Sequence, residues 1–292
     1  MIRACEAAVL YICILGLSPC VEAASLKVSP AQFIVQNVEP GKLYDIYQET
    51  GLRLSIYNDD DVSRTWTLST HRPSARGAWE KGYAEIPDAH WSWFDKDEIT
   101  VAPNSVGHAH LYLQIPKDDK YYNQHWVVTL GIGGASGGGV ALALDVRMQV
   151  ETAGKTDLTS RPDGPLGFVP STVCYENIAP GSNARAQFVL CNNDGIDHTY
   201  IISSLFEQSQ AQRSSYLSHS YGAIPVSGWL KREKTIRVAA GESAVVCMEL
   251  NVPDDPANFG KKWEDILLIQ PNDGPAGFVR VQVQTAKRAD TG

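Results

Sequence analysis

Phe33-Ile34-Val35-Gln36-Asn37-Val38-Glu39-Pro40-Gly41, followed by Leu52-Arg53-Leu54-Ser55-Ile56-Tyr57-Asn58-Asp59, comes back later in the chain. The second occurrence is Val173-Cys174-Tyr175-Glu176-Asn177-Ile178-Ala179-Pro180-Gly181, followed by Phe188-Val189-Leu190-Cys191-Asn192-Asn193. The correspondence continues in order. Tyr83 with Ile86-Pro87 matches Tyr221 with Ile224-Pro225, and Trp93-Phe94 matches Trp229-Leu230. Ile99-Thr100-Val101-Ala102 matches Ile236-Arg237-Val238-Ala239, and Trp126 matches Trp263. Leu113-Gln114-Ile115-Pro116-Lys117-Asp118 matches Leu250-Asn251-Val252-Pro253-Asp254-Asp255, and the offset stays within 134–140 residues throughout. An ordered match at near-constant spacing marks a tandem duplication of one structural unit.

Each copy reads as strands. Leu52, Leu54 and Ile56 alternate with Arg53, Ser55 and Tyr57, a period of two with one wet face. Ala109, Leu111, Leu113 and Ile115 alternate with His108, His110, Tyr112 and Gln114, and Val140 to Val150 alternates likewise. Pro40-Gly41, Asn58 to Asp61, Pro103-Asn104, Pro116 to Asp119 and Gly131 to Gly139 supply the turns. No segment shows a helical period with caps. Antiparallel strands with one buried face stack as two sheets, and about seven short strands per copy fit an immunoglobulin-like domain. The expectation is an all-β chain: two tandem immunoglobulin-like antiparallel β-sandwiches, residues 24–150 and 168–287. A polar, turn-rich linker covers 151–167 and a tail covers 288–292.

Residues 1–23 read as a secretory signal peptide. Arg3 precedes the apolar run Ala7 to Leu17, and Val21-Glu22-Ala23 offers small residues for cleavage. That run is too short to span a bilayer, and no later one approaches the length of a spanning helix, so no transmembrane anchor is expected. The protein is therefore expected outside the cytoplasm, periplasmic or at the cell surface. The chain has 292 residues, 43% apolar and 20% charged, with formal charge −8. An acidic chain without a basic stripe is a poor nucleic-acid binder. Of six cysteines, Cys5, Cys13 and Cys20 leave with the leader, while Cys174, Cys191 and Cys247 remain.

The order of elements is an extended start, Pro-Gly, a strand ending in Asn-Asp, a tryptophan strand, then Ile99-Thr100-Val101-Ala102-Pro103-Asn104-Ser105 and Leu111-Tyr112-Leu113-Gln114-Ile115-Pro116. This resembles bacterial immunoglobulin-like surface domains of the periplasmic pilus-chaperone type. It is also similar to the peptidoglycan-associated domains of WxL-interacting surface proteins. The resemblance implies an exported pair of sandwiches that works by protein contact. Pilus chaperones hold a subunit's terminal carboxylate with an arginine and a lysine in the interdomain cleft. Here the first strand, Leu26 to Val35, has Lys27 and no arginine, and Arg147 lies on the last strand of domain one.

Several residues are candidates for chemistry. His108 and His110 stand i, i+2 on one strand and could hold a metal with a third ligand; two exposed histidines are the plainer reading. Cys191–Cys247 or Cys174–Cys191 are candidate cross-strand bridges, with free thiols, a metal or an intermolecular link as alternatives. Trp93 is expected in the core with Trp229. Trp79, Trp91, Tyr121 and Tyr122 are candidate exposed aromatics for stacking on a glycan. Asn58-Asp59-Asp60-Asp61 and Asn192-Asn193-Asp194-Gly195 lack calcium-loop spacing and read as Asx turns. No nucleophile elbow, protease signature or His-Glu-x-x-His is present, so no enzyme activity and no cofactor are expected. The expected function is a protein-interaction or assembly role in a cell-envelope or appendage complex. Val140, Leu142, Leu144, Val146 and Arg147 would form an edge strand for pairing with a partner's strand, with Lys27 contributing. The alternative is a carbohydrate- or peptidoglycan-binding module.

Overall fold

The computed structural model describes residues 26–75, 81–135, 141–208, 216–225 and 228–288. The expected leader, residues 1–23, Trp79, Val140, residues 136–139 of the glycine-rich stretch and residues 289–292 of the expected tail lie outside them. Domain one holds β1 (Lys27–Ser29), β2 (Gln32–Val38), β3 (Leu43–Asp45), α1 (Ile46–Thr50), β4 (Leu54–Asn58), β5 (Arg64–His71) and β6 (Ala84–Glu85). It continues with β7 (Ser92–Phe94), β8 (Glu98–Val101), β9 (Ser105–Ala109), β10 (Leu111–Gln114), β11 (His125–Ala135) and β12 (Ala141–Thr152). Domain two holds β13 (Leu166–Val169), β14 (Thr172–Ile178), β15 (Asn183–Asn192), β16 (His198–Ser204) and α2 (Leu205–Gln208). After these come β17 (Gly222–Ala223), β18 (Leu230–Arg232), β19 (Thr235–Val238), β20 (Ser243–Asn251), β21 (Lys262–Pro271) and β22 (Gly277–Thr285).

Both domains are immunoglobulin-like sandwiches. In domain one the order β2-β12-β11-β5-β8 faces a second layer made of β1-β4-β9 and β3-β10-β7. In domain two, β14-β22-β21-β16-β19 faces β13-β15-β20-β18. The chain crosses between layers after β1 and again after β13, at cis Ser29–Pro30 and cis Val169–Pro170. Trp66, Ile56, Leu113, Leu130 and Met148 fill the first core, and Phe188, Val246, Leu250 and Val281 the second. Burying each such side chain stabilises by about 1.5–3 kcal/mol.

The duplication extends to single hydrogen bonds. Asn58 donates from Nδ2 to the carbonyls of Val62 (2.8 Å), Val101 (3.0 Å) and Ala102 (3.0 Å). Asn192 donates to Ile196 (2.8 Å), Val238 (3.2 Å) and Ala239 (3.0 Å). Each also accepts from the amide two residues on, Asp60 and Asp194, which makes both segments Asx turns. Gly41 and Gly181, both at positive φ, donate to Ile115 and Val252 in turn.

Four expectations need correction. First, a helix is present. The offset between copies is 140 residues at Gly41/Gly181 and 134 at Asn58/Asn192. The difference is a six-residue insertion, Ile46 to Gly51, which breaks in two the strand that runs unbroken as β15. Asp45 caps its start by accepting from Tyr47 and Gln48, and Gly51 at φ 72 closes its end. A helix this short has no room for a hydrophobic period.

Second, Trp91 and not Trp93 is the counterpart of Trp229. Ser92 pairs with Leu113 as Leu230 pairs with Leu250, so the residue before each strand is the equivalent tryptophan. Trp91 packs edge-on against Trp126 as Trp229 does against Trp263. Trp93 points outward, 38% exposed, and stacks on Tyr112.

Third, Gly131 to Ala135 belongs to β11 and not to a turn. A Cβ on Gly134 would stand 2.8 Å from the Thr65 carbonyl and 2.8 Å from the Trp66 ring, so glycine lets β5 approach. Fourth, β12 runs to Thr152 and β13 opens at Leu166, which trims both ends of the linker. What remains is tied down. Asn123 Oδ1 accepts from Lys155 (3.0 Å) and from Ser171 in domain two (2.9 Å), and Lys155 Nζ meets Asp119 at 2.8 Å.

Candidate interaction site

β12 is not an edge strand along its whole length. It pairs with β11 from Ala141 to Glu151, but β2 covers its other side from Arg147 to Thr152. Among the described residues no strand pairs with that other side over Ala141 to Val146. Along this stretch Leu142 packs on the core, Leu144 is 39% exposed and Val146 is buried. The second half of the strand is occupied by the chain's own β2.

Lys27 is not part of that edge. It lies on β1 in the opposite layer, its ammonium 5.0 Å from the Tyr57 ring. Arg147 pairs with Gln32 and Thr129 on β12, so the two basic residues sit on different sheets. Arg147 has a duplicate: its amide donates to Ala31, and the amide of Arg280 donates to Ser171 at the same place in domain two.

Arg280 is the centre of a buried seam between the domains. The outer faces of β11 and β12 meet those of β21 and β22. Tyr83 and Val127 pack there on Phe206, Ile266 and Phe278. Arg280 pairs with Glu151 of domain one through Nε and Nη2. Its Nη1 donates to Glu264 (2.9 Å) and to the Tyr216 carbonyl (2.9 Å). The side chains of all three ions are 5% exposed or less. One cation faces two carboxylates, and neutral donors make up the difference. Tyr83 (2.5 Å) and Gln36 (3.1 Å) donate to Glu151; Ser218 (2.6 Å) and Gln282 (2.9 Å) donate to Glu264. Burial alone would raise the Glu151 carboxyl, but the charge and hydrogen bonds of Arg280 outweigh it and hold it at about 2. His125 stacks flat on Phe278 at 3.8 Å, and burial pushes its imidazole down to about 4 against the pull of Glu151. Of these residues only Tyr83 and Gln36 stand out in the sequence, as part of the repeat, and the one signal of a charged seam is ionisable Arg280 and Glu264 inside apolar strands.

The other candidates are dispersed. His110 sits at the break between β9 and β10 against Tyr47, while His108 meets Ser55 at 3.2 Å. Among the described residues no group of three or more His, Cys, Asp or Glu could hold a metal. All three described cysteines are free. Cys191 pairs with Ser243 and Cys247 with Gln187, so they stand four residues apart along their strands, about 13 Å. A disulfide needs Cα atoms within about 7 Å. Cys174 lies on β14 in the other layer, and Cys191 is buried rather than on a wet face. Trp91 and Tyr121 pack with Trp126 at the core edge, and Tyr122 lies 5.1 Å from the Lys155 ammonium. They do not form a shared exposed platform. Among the described residues no helix is long and apolar enough to cross a membrane.

No protein-family model and no curated protein matches the chain. Solved structures do. A protein of unknown function from Porphyromonas gingivalis W83 is 13% identical over 89% of this chain and 99% of its own, with a TM-score of 0.35. The periplasmic chaperone SfaE is 10% identical over 89% and 100%, at 0.30. The E. coli chaperone DraB is 9% identical over 89% and 98%, at 0.31. Likenesses this low bear on the fold alone and say nothing of what this chain binds.

Proposed function

We propose that the protein is an exported, non-enzymatic assembly protein that holds an extended segment of an envelope or appendage partner by strand addition. The observation that carries this reading is the open half of β12. Among the described residues no strand pairs with that side of β12 over Ala141 to Leu144, and Leu144 is exposed there. A strand laid there gains main-chain hydrogen bonds, and alternate side chains set its specificity. The buried seam supports the role by holding the two sandwiches in one relation, so that the edge is presented on a rigid body.

A photo-crosslinking side chain at position 144, in the native host, tests it. The expected result is a defined protein adduct that a probe at Ile201, also exposed but on β16 of domain two, does not give. Ala143→Pro, which removes an N–H on the open side of the strand, should lower the yield. Equal adducts at both positions, or none at 144, would remove the proposal.

A further inference from the structure

A second open edge lies on the far side of β2. The strand ends the sheet order β2-β12-β11-β5-β8, and among the described residues nothing pairs with its other side. Arg147 donates its amide to Ala31. Because backbone groups alternate along a strand, the N–H and C=O of Gln32, Ile34 and Gln36 then point away from β12.

The sequence of this edge is Gln32-Phe33-Ile34-Val35-Gln36. It carries no charge and no proline, the usual guards of an exposed edge. It is also the same pattern in both directions. Antiparallel pairing about Ile34 sets Ile34 against Ile34, Gln32 against Gln36 and Phe33 against Val35. All three outward-facing residues then fall at hydrogen-bonded pairs, with a two-fold axis through the Ile34 pair. The same strand in domain two, β14, has Glu176 where β2 has Gln36, so one copy of the duplication is guarded and the other is not. An open groove of about 700 Å³ borders β2. Its walls include Glu49 and Leu52 from domain one and Leu217 and His219 from domain two, and the two leucines offer apolar cover for an incoming Ile34.

We propose that β2 is a homodimer interface: two copies of this chain join their β2 edges antiparallel about Ile34. The contact is separate from the open half of β12 and goes beyond the partner-holding role. Sedimentation velocity on the full chain over a wide concentration range tests it, with reductant present to keep exposed Cys174 and Cys247 unlinked. The wild type should show a reversible monomer–dimer equilibrium. Ile34→Pro removes an N–H that bonds nothing among the described residues, and Ile34→Lys places charge at the axis. Each should weaken dimerisation roughly tenfold or more. Leu144→Lys and Cys174→Lys should leave it unchanged. A wild type that stays monomeric throughout, or a dimer that both Ile34 variants leave intact, overturns the proposal. Loss of the dimer in Leu144→Lys would move the contact to β12 and overturn it as well.

Discussion

Asn58 and Asn192 occupy one position in the two domains and perform the same task. Each is fully buried, and each gives its amide to three carbonyls, one in its own turn and two at the end of a neighbouring strand. Leucine would match the volume and leave the Val101 or Val238 carbonyl, whose bond to the asparagine is buried, without its donor. A buried polar group left unsatisfied costs about 1–3 kcal/mol. Asn58→Leu and Asn192→Leu should each lower the stability read by urea unfolding by about 2 kcal/mol. Because the two sites share no partners, the double variant should show close to the sum. A double variant no weaker than either single one would show that the two turns do not contribute independently. The role was half legible in the sequence. Asparagine followed by acidic residues between strands signals an Asx turn, whereas the reach of Nδ2 across to Val101 and Val238 depends on a fold that brings those strands alongside.

At the scale of elements, alternation revealed most strands but not where they stop. Gly131 to Gly139 looks like a turn because glycine favours turns, yet β11 carries on through Gly133 and Gly134. The reason lies on the neighbouring strand, where the Trp66 ring and Thr65 carbonyl crowd Gly134. Gly134→Ala should therefore push β5 away from β11 and cost about 2 kcal/mol, in the range of other overpacking changes. Gly133→Ala meets its nearest atom at 3.6 Å and should be neutral or slightly stabilising. Thermal unfolding of the pair checks this, and equal losses would show that conformational freedom, not close approach, is what glycine supplies here. The tryptophan register was illegible for a related reason. Trp91-Ser92-Trp93 offers two rings in the same phase, and only the pairing of Ser92 with Leu113 tells which one enters the core. The insertion Ile46 to Gly51 left only its caps as a signal.

For the whole molecule, the sequence read as two sandwiches but did not disclose how they join. Period-two alternation says which side chains leave a domain's core. It does not say that Phe278 and Arg280, in the outward set on β22, are buried against the other domain. The acid response of the molecule follows from that seam. His125 from domain one lies against Phe278 from domain two, with Tyr83, Glu151 and Arg280 as its polar and charged neighbours. Its imidazole titrates at about 4 in the folded protein, against an ordinary 6.5. The unfolded chain therefore binds the proton first, and the stabilisation present above pH 6.5 is lost as pH falls towards 4. Glu151, held at about 2 against an ordinary 4.5, adds a second loss below pH 4.5. From about pH 7.5 to about pH 5 the histidine dominates, and its share is about 2 kcal/mol. The urea midpoint of the wild type should fall over that range. His125→Phe keeps a ring on Phe278 and removes the proton site, so its midpoint should fall by much less. Arg280→Met should be the most damaging single change at either pH, by about 3–5 kcal/mol, because it strands two carboxylates in the seam. If His125→Phe loses as much stability on acidification as the wild type, the acid response arises elsewhere than at the join between the domains.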